Sequence, residues 1–248
     1  MKRKRMALIS IITATLLIAT LPALATAHKE EHKKAKWHLR GTNAIIVGGY
    51  GDNFDYGGGN TRAIKGHAKV KVNADQDAGK VVAEIKGSIN PADGLWLDGK
   101  IKIVMKYFDG PAPWMQGGIA EDLFLHGATG RGPPVMPKVR TFLGGWGTAD
   151  VYLNGKLVCE DLDAHFMYTD GARDEDYKVW LNATHLWNPM YGMPPMSLNG
   201  TVDPNDRELH IVVHSTVPDS NNFPPHDFWI HLNFEEVKVK KAPSGAEY

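Results

Sequence analysis

The sequence predicts an all-β protein, with an antiparallel two-sheet β-sandwich as the first choice of architecture and a barrel as the second. Short apolar segments follow one another from Asn43 onward at strand-like spacing, and Gly, Asn, Asp and Pro separate them. No long segment repeats its apolar residues at the helical period, and only Ile119–Leu125 is compatible with one or two helical turns.

The clearest strands come in pairs. Residues 68–72 and 81–86 alternate apolar with mostly charged side chains, which predicts an antiparallel hairpin with one buried face. Residues 101–107 supply a further strand. Asn154-Gly155 stands between two apolar runs, and this dipeptide is typical of a two-residue turn in which both central residues take a positive φ. We therefore expect a tight hairpin over residues 151–158.

Long loops rich in Gly and Pro separate these strands. They cover residues 50–60, 109–118, 127–137, 188–200 and 218–225. Because binding residues concentrate on loops that a rigid sheet carries, we expect functional side chains there.

The first 27 residues have the features of a secretory signal. A basic stretch, Lys2–Arg5, precedes an apolar run over residues 6–21, and two overlapping small-x-small sites then allow cleavage after Ala25 or Ala27. An uncleaved membrane anchor is the alternative, because the apolar run is nearly long enough to span a bilayer. We expect that residues 1–27 are removed, that no stable membrane insertion follows, and that the protein is exported to the periplasm or the outside of the cell.

The rest of the chain has the size of one domain. Residues 28–40 are charged and lack an apolar face, so we expect a flexible lead-in, then a single domain over residues 41–241 and a disordered tail over residues 242–248. Four of the 28 Lys and Arg residues lie in the basic stretch, so the exported chain has fewer of them than its 28 Asp and Glu. This balance argues against a nucleic-acid partner, which needs a basic surface. Cys159 is the single cysteine and excludes an internal disulfide.

Two segments near the C-terminus, Leu209–His214 and Phe228–Phe234, alternate apolar and polar residues. If they pair with their apolar sides on the core, the opposite face gathers His210, His214 and His231 beside a tryptophan. His210 and His214 lie roughly 13 Å apart along one strand, so one metal ion would need a cross-strand pair such as His210 with His231.

The loop beside this hairpin adds two candidate ligands. His226 or Asp227 could join His214 where the strand ends. The structural alternative is that the imidazoles are ordinary polar side chains whose nitrogens are hydrogen-bonded.

Three methionines, Met190, Met193 and Met196, stand three residues apart in an irregular Pro- and Gly-containing segment. Thioether sulfur is a soft ligand that suits Cu(I). The spacing resembles the methionine motifs of exported copper-handling proteins. Packing against the sheet is the alternative, because methionine fills irregular gaps well. Cleavage after Ala25 or Ala27 would also place His28 third or first in the chain, where it can bind Cu(II) with the free amine.

The sequence therefore predicts a metal ion or a small molecule as partner. The first hypothesis is copper binding by a set of thioethers and imidazoles, namely Met190, Met193, Met196, His210, His214, His226 and His231. The second is an enzyme acting on a small or carbohydrate-like substrate in a pocket lined by Trp and His, with His126, His165 or His214 as acid or base. The third is a structural envelope protein.

Overall fold

The computed structural model describes residues 35–109, 118–132, 136–179 and 203–243. Within these ranges the chain forms nine strands and one short 3₁₀ helix, Gly127–Thr129. The strands are β1 (Ala35–Val47), β2 (Arg62–Asn73), β3 (Ala78–Ala92), β4 (Leu95–Tyr107), β5 (Ile119–Leu125), β6 (Val139–Leu153), β7 (Lys156–Gly171), β8 (Asp203–His214) and β9 (Trp229–Pro243).

Eight of the strands close into an antiparallel barrel. The hydrogen-bonded order is β4-β3-β2-β1-β9-β8-β7-β6, and β4 pairs with β6 to complete the circle, while β5 pairs with the first half of β6. The all-β antiparallel prediction is confirmed, but the two-sheet sandwich is wrong and the second choice, a barrel, is what the chain forms. A sandwich and a barrel share the same alternation along each strand, so only the long-range pairing of β4 with β6 distinguishes them.

Apolar side chains fill the barrel. Alternate residues of all eight barrel strands form one cluster of buried side chains, in which Ile103, Phe166 and Phe234 are at most 1% exposed. Eight strands enclose a space that side chains can fill completely. The interior is therefore packed core, and a binding site has to lie outside it.

The local hairpin predictions are confirmed. Strands β2 and β3 pair with Ala68 opposite Ala83 and Val70 opposite Val81. Asn154 and Gly155 form the two-residue turn between β6 and β7, with φ angles of 52° and 84°. Residues 119–125, for which one or two helical turns were an alternative, form strand β5.

Both ends of the barrel sheet extend beyond the predicted domain. The prediction of a flexible lead-in is wrong for residues 35–40. These residues form the start of β1, between β2 and β9. Trp37 and Leu39 point into the core and are 5% and 3% exposed. Lys36, His38 and Arg40 alternate with the apolar residues, and this basic run hid the strand pattern. Strand β9 likewise continues to Pro243, two residues into the predicted tail.

Candidate functional site

The two C-terminal strands pair as the sequence predicts. Leu209 lies opposite Phe234 and His214 opposite Trp229, and the alternating apolar set that includes Ile211 and Leu232 faces the barrel core. His210 and His231 lie on the other face as diagonal neighbours, because His210 opposes Asn233 and His231 opposes Val212. This outer face is also buried, since His210 is 6% and His231 is 3% exposed.

Loops cover the outer face of β7, β8 and β9. The ring of Phe54, from the loop after β1, lies 5.5 Å from the ring of His231 and 6.5 Å from that of Trp229, measured between centroids. Phe54 also stacks on Tyr56 at 4.9 Å, and Tyr56 contacts Phe223 at 5.6 Å. We call this aromatic layer, Phe54, Tyr56 and Phe223, the cover.

Arg173 holds the cover in place through hydrogen bonds. Its guanidinium donates hydrogen bonds to the carbonyl oxygens of Phe54 (2.6 Å), Asp55 (2.8 Å) and Tyr177 (2.6 Å). Burial lowers the pKa of Arg173 to about 10, and the neighbouring carboxylates of Asp55 and Glu208 limit that decrease. The side chain therefore stays cationic at neutral pH and ties two loops together beside the histidines.

A pocket of about 110 Å³ lies between the cover and the sheet. Its walls are mostly apolar and include Phe54, Val212 and Trp229. Its polar side chains are Thr169, Arg173 and four imidazoles, those of His126, His165, His210 and His231. An apolar cavity of about 150 Å³ in another protein holds benzene, so this smaller pocket takes at most one ring.

A hydrogen-bonded chain of three side chains ends at this pocket. Glu208 Oε2 lies 2.9 Å from His210 Nε2, and His210 Nδ1 lies 3.0 Å from His231 Nε2. Glu208 Oε2 also accepts from the side-chain amide of Asn233 at 2.6 Å, while Oε1 accepts from the Ala172 amide at 2.8 Å. We call Glu208, His210 and His231 the carboxylate–histidine chain.

The charge of Glu208 determines the protons along this chain. Burial works to raise the pKa of Glu208, but its hydrogen bond and Coulombic attraction with His210, together with the hydrogen bonds from Ala172 and Asn233, outweigh it and the net pKa is lowered. A carboxylate only accepts, so His210 donates from Nε2, and in the neutral form of His210 its Nδ1 accepts from His231 Nε2–H. His231 then presents the lone pair of Nδ1.

Desolvation keeps the deeper imidazoles neutral. The pKa of His231 lies well below its usual value because burial disfavours the cation, and His210, Arg173 and His165 add to the decrease. Desolvation likewise lowers the pKa of His165 to about 3, with a further contribution from His214. Neutral imidazoles offer one donor and one acceptor each, so the pocket is a hydrogen-bonding site without imidazolium charge on these two rings.

On β9, two buried polar atoms of residues that line the pocket have no hydrogen-bond partner among the described residues. They are Trp229 Nε1 and His231 Nδ1. Both residues line the pocket, and they lie two positions apart on β9, so their side chains share a face of the sheet.

The predicted candidates are only partly gathered at this pocket. His214 and His226 lie beside it, with ring centroids 4.1 Å apart and both rings stacked on Trp229 at 5.4 Å. Among the residues that the structure describes, no three His, Cys, Asp or Glu side chains form a group that could hold a metal ion. The three methionines of the copper hypothesis, Met190, Met193 and Met196, lie outside the described residues.

Sequence reasoning missed three residues of the site. Glu208 precedes His210 by two positions on the same strand face, and this spacing could have revealed it. Phe54 and Arg173 reach the pocket only because distant loops fold over the sheet, and no local pattern indicates that.

Comparison of the chain with protein-family models, with curated proteins and with solved structures finds no match. No helix in the described ranges has the length and apolar character needed to cross a membrane. The function is therefore argued from the site itself.

Proposed function

We propose that the protein binds a small ring-shaped molecule bearing a hydroxyl group in the pocket beneath the cover. The observation that carries this proposal is the pair of unpartnered atoms, Trp229 Nε1 and His231 Nδ1, in residues that line a pocket with mostly apolar walls. One hydroxyl can accept from the indole N–H and donate to the imidazole at the same time.

The energetics favour such a ligand. A buried polar atom without a partner costs about 1–3 kcal/mol, and a ligand that supplies the partner recovers that cost. The aromatic walls offer Phe54 and Trp229 to a ring of the ligand, for which stacking adds about 0.5–1.5 kcal/mol. A phenol meets both requirements with a single ring.

Calorimetric titration with phenol tests the proposal, with toluene as the matched ligand that lacks the hydroxyl. We expect phenol to bind more tightly than toluene. Trp229→Phe should lower the affinity for phenol about 2- to 12-fold, which corresponds to the loss of one neutral hydrogen bond. Toluene affinity should be unchanged in that variant. Trp96, which is 61% exposed, provides the control variant Trp96→Phe. Equal affinity for phenol and toluene, or no binding of either, would refute the proposal.

Copper binding is the second candidate function, and the spacing of Met190, Met193 and Met196 favours it. We propose that the exported protein binds Cu(I) through this segment after removal of residues 1–27. A Cu(I) titration of the exported protein against the triple Met→Leu variant tests this, and mass spectrometry of the amino terminus establishes the cleavage position. Equal Cu(I) affinity of the two proteins would remove the segment from consideration.

A further inference from the structure

We infer that His231 and His210 act together as a two-imidazole proton relay that removes the hydroxyl proton of the bound molecule. This inference rests on the proposed binding site and adds a chemical activity to it. It depends on the geometry of the carboxylate–histidine chain, whose last unpartnered nitrogen, His231 Nδ1, belongs to a residue that lines the same pocket as Trp229.

The transfer takes place in two coupled steps. The ligand O–H bond breaks as a bond forms between that proton and His231 Nδ1, and the electron pair stays on the ligand oxygen. The His231 Nε2–H bond breaks as its proton moves across 3.0 Å to His210 Nδ1. His231 is neutral before and after. The ligand becomes an anion, and His210 becomes an imidazolium that still donates from Nε2 to Glu208.

The surroundings explain why the positive charge should move to His210. The charged and titratable groups that face His231 are His210 on β8, His165 on β7 and Arg173 after β7, and burial together with these groups disfavours a cation on its ring. His210 instead lies 2.9 Å from the Glu208 carboxylate, which is 2% exposed. An imidazolium beside a buried carboxylate is the charge arrangement of catalytic triads.

A second cavity adds negative charge on the same side. We call it the acidic groove. It has a volume of about 670 Å³, and seven carboxylates line it, with Arg173 as the one cationic side chain. Glu208 lines the acidic groove and is also part of the carboxylate–histidine chain. Asp206 and Glu235 line the groove as well. Burial raises the pKa of Glu235, and the charges of Glu208 and Asp206 raise it further, which indicates a locally negative potential. The relay therefore moves positive charge toward the more negative side of the site.

The other side of the pocket suits the anion that remains. Trp229 Nε1–H can donate to the developing oxyanion, and the guanidinium of Arg173 lines the same pocket. Donors aimed at developing charge in a site that excludes water stabilise it more than water would. His231 is accordingly the residue that touches the ligand, whereas His210 and Glu208 are positioning residues that act through it.

The test uses 4-nitrophenol, whose ionised form absorbs visible light, with protein that has been treated with a chelator. Quenching of tryptophan fluorescence reports binding, and the visible absorbance reports ionisation of the bound probe. We expect the acid dissociation constant of the bound probe to be about tenfold larger than in free solution, so that its pKa is lower by about one unit. Glu208→Gln should retain binding and lose this shift. Glu84→Gln, at a half-exposed carboxylate on β3, should retain both.

A measurement on the unaltered protein covers the case in which Glu208→Gln does not fold. Nitrogen-15 NMR of the imidazoles should show His231 changing from the Nε2–H to the Nδ1–H form and His210 becoming doubly protonated when 4-nitrophenol binds. Quenching without a shift in ionisation, or with unchanged His231 and His210 signals, overturns the relay while leaving the binding proposal intact. No quenching by 4-nitrophenol overturns the relay, whereas the calorimetric titration with phenol decides the binding proposal.

Discussion

Replacing Arg173 by methionine should open the cover over the histidine pocket. The guanidinium donates three hydrogen bonds of 2.6–2.8 Å to backbone carbonyls of two loops. Methionine keeps part of the apolar stem but has no donor, so the three carbonyl oxygens lose their partner. The aromatic layer that includes Phe54 should then move away from the sheet.

The expected magnitude follows from two opposing terms. Hydrogen bonds from a charged group contribute about 1.5–3 kcal/mol each, and three of them give roughly 4–9 kcal/mol. Burial lowers the pKa of Arg173 from 12.5 to about 10, so removing the buried cation recovers roughly 3 kcal/mol. The Arg173→Met variant should therefore lose about 1–6 kcal/mol of stability. Arg173→Lys should lose part of this, because one ammonium group cannot replace a planar fork at three carbonyls.

Urea unfolding followed by tryptophan fluorescence measures the global change, and amide hydrogen exchange locates it. We expect faster exchange at Phe54, whose amide donates to the Phe223 carbonyl, and at Val179, whose amide donates to the Tyr56 carbonyl. Amides of the β2–β3 hairpin, on the other side of the barrel, serve as the internal control. Unchanged exchange at Phe54 and Val179 in a destabilised variant would refute the assignment of Arg173 as the fastener of the cover.

Three further predictions concern the barrel and the buried imidazoles. Phe166→Ala should destabilise the protein by about 3–5 kcal/mol in urea unfolding, since its ring fills the interior against Phe108 at 5.9 Å; a loss below 1 kcal/mol would mean that the barrel is not packed there. Gly155→Val should cost about 1–2 kcal/mol by the same assay, because φ at this turn is 84°, and an unchanged midpoint would contradict the two-residue turn. His165 has its pKa lowered from 6.5 to about 3 by burial, so the unfolded chain binds more protons between these values, and stability should decrease as the pH falls from 6.5 toward 3. His165→Gln should show a shallower decrease in urea titrations across this range, and an identical pH profile would argue against a buried neutral imidazole.

Local pattern and tertiary structure contributed different parts of the candidate site. The alternation in Leu209–His214 and Phe228–Phe234 predicted both the pairing of β8 with β9 and the gathering of His210 and His231 on one face. Such predictions succeed because side chains of a strand alternate between two faces, so any register that buries the apolar set places the polar set together. The Asn154-Gly155 turn was predictable for a similar reason, because two successive positive φ angles demand particular residues.

The partners of those histidines were decided by contacts between distant parts of the chain. Phe54 reaches His231 across 177 positions of sequence, and Arg173 holds it there through backbone carbonyls that every residue possesses. No sequence pattern records such a contact.

The sequence by itself determined most of the strands, the Asn154-Gly155 turn and the shared face of the C-terminal histidines, since each of these depends on neighbouring residues. Only the tertiary structure decided that the sheet closes through β4 and β6, and that loops bury the histidine face to form a pocket. The physical reason is that alternation specifies which face of a strand is apolar, whereas closure and cover depend on which distant segments meet that face.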